Sequence, residues 1–302
     1  MSGCYAVFHK QLGDLVLLEP TLSLLREHHG GPVRMITRGG HADLLKLMPG
    51  VEAMRGPSLA PAGNLYCLDS LSKSAFRSLI APVANRRLVV PERTELHWYH
   101  KWLFPPVTNP ELGESYVAEF FWKNASASPS GTFRPPRLDH PPDEWAPPGV
   151  GAKKYVLINP VSGWRQKLWT AQGWLELLAS IRELGPFLIT GGSAPWQLEH
   201  CREIVTGSGV ESLVGRTSLR EFLWLCANAR AVISVEGVAS HIAAATGVPC
   251  LTLFGPSNIN NWHRPGPGRE ILQAPASSDG VRRMKSLDPS EVVRVAEALL
   301  RA

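Results

Sequence analysis

The sequence predicts an α/β protein built from two Rossmann-like domains, each with a parallel β-sheet. Apolar, strand-like runs alternate with helical stretches in both halves of the chain, and several of these strands end in Gly, Pro, Ser or Asn. A proline-rich stretch near residues 135–152 separates the halves. The length of 302 residues also exceeds one ordinary core and fits two. We therefore expect an N-terminal domain over residues 1–150, which includes the linker, and a C-terminal domain over residues 151–302.

The N-terminal half opens with a strand over residues 5–8 and a helix over "DLVLLEPTLSLLREHHGG". Apolar residues recur in this helix at three- and four-residue spacing: Leu15, Leu18, Leu22 and Leu25. Pro20 lies in its second turn, which predicts a kink. A strand, "PVRMIT", and a short helix, "HADLLKLMPGV", follow. Residues 91–150 combine many prolines with little periodicity, so this stretch is predicted to be irregular and to include the linker.

The C-terminal half repeats the alternation of strands and helices. Its predicted strands are "KYVLINP", "PFLITGG", "RAVISVEG" and "PCLTLFGP", and its helices include "TAQGWLELLASIRELG", "APWQLEHCREIVTGSG" and "SLREFLWLCANA". The last helix, "DPSEVVRVAEALLRA", begins at a capping signal and is apolar on one face. Ligands of open α/β sheets collect at the carboxyl ends of the strands, so we look for a site there.

Composition narrows the classes of function. The net charge is +5, and residues 151–302 hold 16 basic against 12 acidic residues, which suits a ligand that carries phosphate. A dense basic stripe with interleaved aromatic residues is missing, which argues against nucleic-acid binding.

The five scattered cysteines form no CxxC pair and predict reduced thiols in the cytosol, without a zinc site or disulfides. No apolar run approaches the ~18 residues of a membrane span. We expect a cytoplasmic protein, either soluble or in peripheral contact with a membrane.

Three strand-to-helix turns carry candidate chemistry, and the first holds Asp14 in "FHKQLGDLVLLEP". Aspartate is among the preferred N-cap residues, so Asp14 either caps the helix or acts as a catalytic base. No GxGxxG follows, which disfavours a dinucleotide site.

The second turn lies in "NPVSGWRQKLWTAQGW". The hydroxyl of Ser162, backbone N–H groups and the cations of Arg165 and Lys167 can converge there on a diphosphate. The alternative is a solvated basic loop in which Trp164 and Trp169 pack into the core. The GxxxxGK[ST] spacing of a Walker A motif is missing.

The third turn lies in "SVEGVASHIAAATGVPCLTLFGPSN". Ser240 and His241 fall in the first turn of a helix rich in small residues, and a helix N-terminus favours phosphate. His241 either hydrogen-bonds that phosphate or is structural, and Glu236 either holds sugar hydroxyls or caps the helix. A metal-binding pair of the DxD type does not accompany these turns.

Together, "LGD" on the first turn, "PVSGWRQKLW" after the linker and the stretch from "GRTSLRE" to "SVEGVASHIAAATGVPCLTLFGP" resemble glycosyltransferase family nine, the heptosyltransferases of lipopolysaccharide core synthesis. The resemblance covers most of residues 4–40 and 155–262. It implies the GT-B architecture of two facing domains, in which the last helix crosses back to the first domain. It also implies inverting, metal-independent transfer from ADP-heptose, which the second domain binds.

By the same resemblance, Asp14 is the general base, Lys167 binds donor phosphate, and His241 lies at the phosphate-contacting helix start. The expected donor site comprises Ser162, Arg165, Lys167, Trp196, Glu236, Gly237, Ser240 and His241. Two positions depart from the family pattern. Glu236-Gly237-Val238 replaces Asp-x-Gly, and Pro195-Trp196 stands where a glutamate grips the ribose, so Trp196 either stacks on base or sugar or packs.

The leading hypothesis is an inverting, metal-independent glycosyltransferase without a cofactor. It moves a sugar, expected to be heptose from ADP-heptose, to a bacterial lipopolysaccharide-type or other glycoconjugate acceptor. The protein itself is expected in the cytoplasm, either free or in peripheral contact with the inner membrane face. Two alternatives stay open. A nucleotide-sugar epimerase or hydrolase on the same fold needs no acceptor, and a non-catalytic member binds the sugar nucleotide without turnover.

Overall fold

The computed structural model describes residues 3–54, 63–69, 85–92, 107–126 and 131–302, together with the single residues 94, 96, 98, 102, 104 and 129. The chain divides into two compact units. The first comprises Met1–Asp139 with Asn260–Arg264, and the second comprises His140–Ile259 with Pro265–Ala302. Among the helices of the described ranges, none is both long enough and apolar enough to cross a membrane.

The first unit contains a parallel sheet with the strand order β3-β2-β1-β4-β5-β6. Its described strands are β1 (Cys4–Val7), β2 (Val33–Ile36), β3 (Val51–Ala53), β4 (Asn64–Cys67), β5 (Asn85–Val89) and β6 (Val107–Thr108). Its described helices include α1 (Leu12–Leu17), α2 (Glu19–His29), α3 (Ala42–Leu45) and α4 (Val117–Ala125). This strand order is the usual one of a Rossmann fold, with its topological switch point between β1 and β4.

The helix predicted to follow β1 is divided into two. α1 ends at Leu17, and α2 begins at Glu19 with Pro20 in its first turn. The kink predicted at Pro20 is therefore present as a break between two helices, because proline has no N–H for an interior helical bond and fits the first turn of a new helix. α2 ends at Gly30, whose φ of 63° is the left-handed conformation that glycine adopts readily.

Helix α4 lies within the stretch that the sequence analysis predicted to be irregular. It buries one face through Val117, Ala118, Phe120 and Phe121, at helical spacing. Asn261 lies in the short helix α9 (Ile259–Trp262) and is buried against the turn before α4. Its side-chain amide donates hydrogen bonds to the carbonyls of Gly113 at 2.8 Å and Ser115 at 2.9 Å.

The second unit contains a parallel sheet with the order β12-β11-β10-β7-β8-β9. Its strands are β7 (Val156–Asn159), β8 (Phe187–Ile189), β9 (Glu211–Ser212), β10 (Ala231–Val235), β11 (Cys250–Phe254) and β12 (Arg269–Gln273). Its helices include α5 (Ala171–Ser180), α6 (Pro195–Ser208), α7 (Leu219–Asn228), α8 (Val238–Thr246) and α10 (Pro289–Arg301). This is again the Rossmann order, so the prediction of two parallel-sheet units is confirmed. The topological switch point of this sheet lies between β7 and β10.

The C-terminal helix α10 packs within the second unit. Val292 and Ala296 are buried in a core that includes Trp169 and Trp174, whose ring centroids are 5.3 Å apart in an edge-to-face arrangement. The expected crossing of this helix to the first domain is therefore wrong. The C-terminal segment that joins the first unit is Asn260–Arg264 instead.

Candidate functional site

The candidate site of the second unit lies where β7 and β10 end. These neighbouring strands connect onward to opposite sides of the sheet, and such a switch point opens a crevice beyond the carboxyl ends. Asn159, the last residue of β7, is buried and donates to the Thr190 side chain at 3.1 Å, which ties this end to β8. Glu236 directly follows β10, and its backbone N–H bonds to the Leu253 carbonyl at 2.9 Å. The two loops with candidate chemistry therefore leave from adjacent strands.

An ion pair joins the second and third candidate turns. Lys167 Nζ contacts Glu236 Oε2, and the side chains are 14% and 5% exposed. The Ser257 hydroxyl donates to the same carboxylate oxygen at 2.8 Å. Lys167 also lies over the ring of Trp164, with 5.2 Å between Nζ and the ring centroid. The cation expected to hold a phosphate is therefore paired with a largely buried carboxylate.

The two loops lie close together at Ser162 and Gly237. A Cβ added at Gly237 would lie 3.7 Å from Ser162 Oγ. The Ser162 carbonyl accepts a hydrogen bond of 2.7 Å from Gln197 Nε2, which fixes the loop to the first turn of α6. The Ser162 side chain thus lies near the residue that precedes α8.

The first turn of α8 contains Ser240 and His241, as predicted. The Ser240 hydroxyl donates to the Gly237 carbonyl at 2.8 Å, so this side chain shapes the turn before the helix. His241 is buried, and burial lowers its pKa from 6.5 to about 4; Glu236 opposes this shift and Lys167 adds to it. The imidazole is therefore neutral near pH 7, so its predicted contact with a phosphate is a hydrogen bond rather than an ion pair.

We expect His241 to make the protein sensitive to acid. Between pH 6.5 and about 4 the unfolded chain binds a proton at this position that the folded chain does not, so stability falls as the pH falls through this window. The full loss amounts to about 3 kcal/mol. In denaturant titrations from pH 7 to 4.5, His241→Asn should flatten this decline, and the exposed His140→Asn should not. Parallel curves for His241→Asn and the unchanged protein would contradict the assignment.

Arg165, Trp164 and Trp196 form the exposed side of the same site. The Arg165 guanidinium lies 5.4 Å from the Trp196 ring centroid, a cation–π distance. Trp196 is half-buried in the first turn of α6. Trp164 is 60% exposed, which contradicts the alternative in which both tryptophans of this loop pack into the core, whereas Trp169 is buried as that alternative expects.

Asp14 lies at the carboxyl edge of the first sheet, as the third residue of α1. The N-cap is Gln11, so the interpretation of Asp14 as the cap is wrong. Its half-buried side chain lies in the first helical turn, where the helix dipole favours a carboxylate.

Asp69 is a further residue at this edge that the sequence analysis missed. It follows β4, is 3% exposed and accepts a hydrogen bond of 2.9 Å from the His9 backbone N–H. Lys10 Nζ lies 4.0 Å from its other carboxylate oxygen. Asp69 therefore fixes the loop between β1 and α1 that leads to Asp14. An aspartate directly after the apolar run "LYCL" was the available signal.

The structure thus brings together Ser162, Lys167, Glu236, Gly237, Ser240 and His241 in the second unit, with Arg165 and Trp196 beside them. Asp14 belongs to the first unit, and its approach to the second-unit residues stays a prediction. Two doubly wound units, one with a cation and a helix N-terminus at its switch point, are typical of GT-B glycosyltransferases.

Comparison with known proteins identifies the family. The model of glycosyltransferase family 9 (heptosyltransferase) matches residues 112–286, more than half of the chain. Lipopolysaccharide heptosyltransferase 1 of Pseudomonas aeruginosa is 33% identical over 109 residues, which span 36% of this chain and 30% of that enzyme. The first curated relatives are thus matched over less than half of their own length.

Solved structures agree over nearly the whole chain. E. coli ADP-heptose LPS heptosyltransferase II superimposes with a TM-score of 0.80 at 17% identity, covering 99% of this chain and 98% of that one. E. coli heptosyltransferase WaaC with ADP gives 0.72 at 17% identity, covering 98% and 99%. These likenesses show the fold. The chain belongs to glycosyltransferase family 9, as its sequence predicted.

Proposed function

We propose that the protein is an inverting glycosyltransferase that moves a sugar, expected to be heptose, from a nucleoside diphosphate to a lipopolysaccharide-type or other glycoconjugate acceptor. The observation that carries the proposal is Lys167 at the switch point of the second sheet, beside the start of α8. A lysine, a helix N-terminus and the Ser162 loop together offer a cation, backbone N–H groups and a hydroxyl, which bind a diphosphate favourably. The ADP in the solved structure of a family relative supports ADP as the nucleotide.

The reaction follows from these groups. Asp14 takes the proton of the acceptor hydroxyl, and the acceptor oxygen attacks the anomeric carbon from the face opposite the diphosphate. The bond between that carbon and the diphosphate oxygen breaks, which inverts the configuration. Lys167 and the backbone N–H groups at the start of α8 stabilise the negative charge that develops on the departing diphosphate. Because protein groups supply this positive charge, we propose that transfer requires no metal ion.

Charge and exposed aromatic residues support an anionic acceptor at a membrane surface. At the carboxyl edge of the first sheet, burial lowers the pKa of both His9 and His41, and the positive charge of Arg38 lowers both further, while Asp69 opposes the shift of His9. Arg38 therefore places a positive charge at this edge. Trp98 and Trp102 are 79% and 75% exposed, and tryptophan is favoured at membrane interfaces. We include peripheral contact with the inner membrane in the proposal.

The test combines nucleotide binding with a product assay. Calorimetry with ADP, GDP and UDP should show one preferred nucleotide, expected to be ADP. Mass spectrometry should then show sugar transfer from ADP-heptose to lipopolysaccharide core fragments, undiminished by excess EDTA. Free sugar or an epimer without acceptor would favour a hydrolase or epimerase. Nucleotide binding without turnover on any acceptor would favour a non-catalytic member.

A further inference from the structure

One carboxylate oxygen at the candidate site is shared by two partners. Glu236 Oε2 forms an ion pair with the Lys167 ammonium and accepts a hydrogen bond from the Ser257 hydroxyl. Ser257 is held in turn, because its carbonyl accepts a hydrogen bond of 3.1 Å from Gln273 Nε2. Glu236 is 4% exposed, so this contact lies largely away from water. Its negative charge therefore acts at short range on any phosphate that reaches Lys167.

Substrate and product differ in charge at that position. In a sugar nucleotide the terminal phosphate is esterified by the sugar and carries one negative charge. After transfer the same phosphate is free, and its second ionisation, with a pKa near 6, adds further negative charge at neutral pH. A fixed carboxylate beside the phosphate site repels the product more strongly than the donor.

We propose that Glu236 is a specificity-determining residue that disfavours the nucleoside diphosphate product and so promotes its release. This inference rests on the proposed function of the site. Glu236 partly offsets the charge of Lys167, which leaves enough attraction for the donor and too little for tight retention of the product. Product release limits turnover in many enzymes, so this offset affects the steady-state rate.

The decisive variant is Glu236→Gln, which keeps the shape and removes the charge. We expect its affinity for ADP to rise about tenfold, because a neutral amide replaces the carboxylate that offsets the charge of Lys167 and repels the terminal phosphate of ADP. The affinity for ADP-heptose should rise less, and that for adenosine should not change. Steady-state transfer should slow through stronger ADP inhibition, so added ADP should inhibit the variant at about tenfold lower concentration than the unchanged protein. Where the nucleotide screen selects GDP or UDP, the same measurements use that nucleotide.

Three further variants isolate the charge. Glu236→Asp retains the carboxylate and should bind ADP like the unchanged protein, as should the exposed Glu211→Gln of β9. In Lys167→Met/Glu236→Gln the gain in ADP affinity should disappear, because the pair acts as a unit. Thermal unfolding of each variant reports whether the fold is retained.

The possible failures are separable. If the unchanged protein binds no nucleoside diphosphate, the proposed function and this inference both fall. If it binds ADP but Glu236→Gln binds ADP no tighter, only this inference falls. Weaker ADP binding would show that Glu236 positions Lys167, and loss of affinity for ADP-heptose alone would show that Glu236 contacts the sugar.

Discussion

Replacement of Asp14 by asparagine is expected to reduce sugar transfer roughly 10²–10⁴-fold, the usual contribution of a general base. Asparagine fills nearly the same volume but cannot accept the acceptor proton. Nucleoside diphosphate affinity should stay largely unchanged, because the donor groups belong to the second unit. Single-turnover transfer and calorimetry on the same preparation separate the two effects.

The structure supplies a matched control for Asp14. Asp43 is also an acid in the first turn of a first-unit helix, and it pairs with Lys46 at 2.8 Å. Each Asp→Asn change removes one favourable interaction with a helix dipole, worth about 0.3–1 kcal/mol. Asp43→Asn also removes the pair with Lys46, so the stability of both variants is measured by thermal unfolding, and Asp43→Asn should retain full transfer. Equal transfer by Asp14→Asn and the unchanged protein would remove the base assignment.

The fold could be predicted from local patterns because its buried strands and amphipathic helices depend on local spacing. Pro20 located the break between α1 and α2 for the same reason. Helix α4 was missed although Val117, Phe120 and Phe121 have helical spacing, since the prolines around it suggested irregular chain. The two tryptophans of the donor loop show the limit of local patterns, because Trp164 is exposed and Trp169 is buried, and no periodicity in this short loop separates them.

The site could be predicted as a set of residues but not as a network. Each strand-to-helix turn suggested its own chemistry, and the parallel sheet brought Lys167 and Glu236 together because β7 and β10 are neighbours. That adjacency depends on strand order, which spacing within one segment does not encode. Ser257 and Asp69 were missed for the same reason, since their partners come from other strand ends.

Removal of the Lys167 charge is expected to reduce transfer roughly 10²–10³-fold, the usual loss when one group that stabilises a developing negative charge is deleted. Donor affinity should weaken as well, because the charged contact exists in the ground state. Lys167→Met is the simplest variant, but it leaves Glu236 buried without its cation. Breaking a buried pair in this way costs about 3–5 kcal/mol of stability, so inactivity of this variant alone is ambiguous.

The double variant Lys167→Met/Glu236→Gln resolves this ambiguity. It replaces both charges by neutral side chains of similar size, so the free energy of unfolding should stay close to that of the unchanged protein. Transfer should remain as low as in the single variant, because the departing diphosphate still lacks its cation. Lys285→Met, at an exposed lysine of the same unit, should transfer normally. A stable double variant with near-normal transfer would show that Lys167 serves the fold. The negative charge of the departing diphosphate would then need another cation, and Arg165 lies two residues before Lys167 on the same loop.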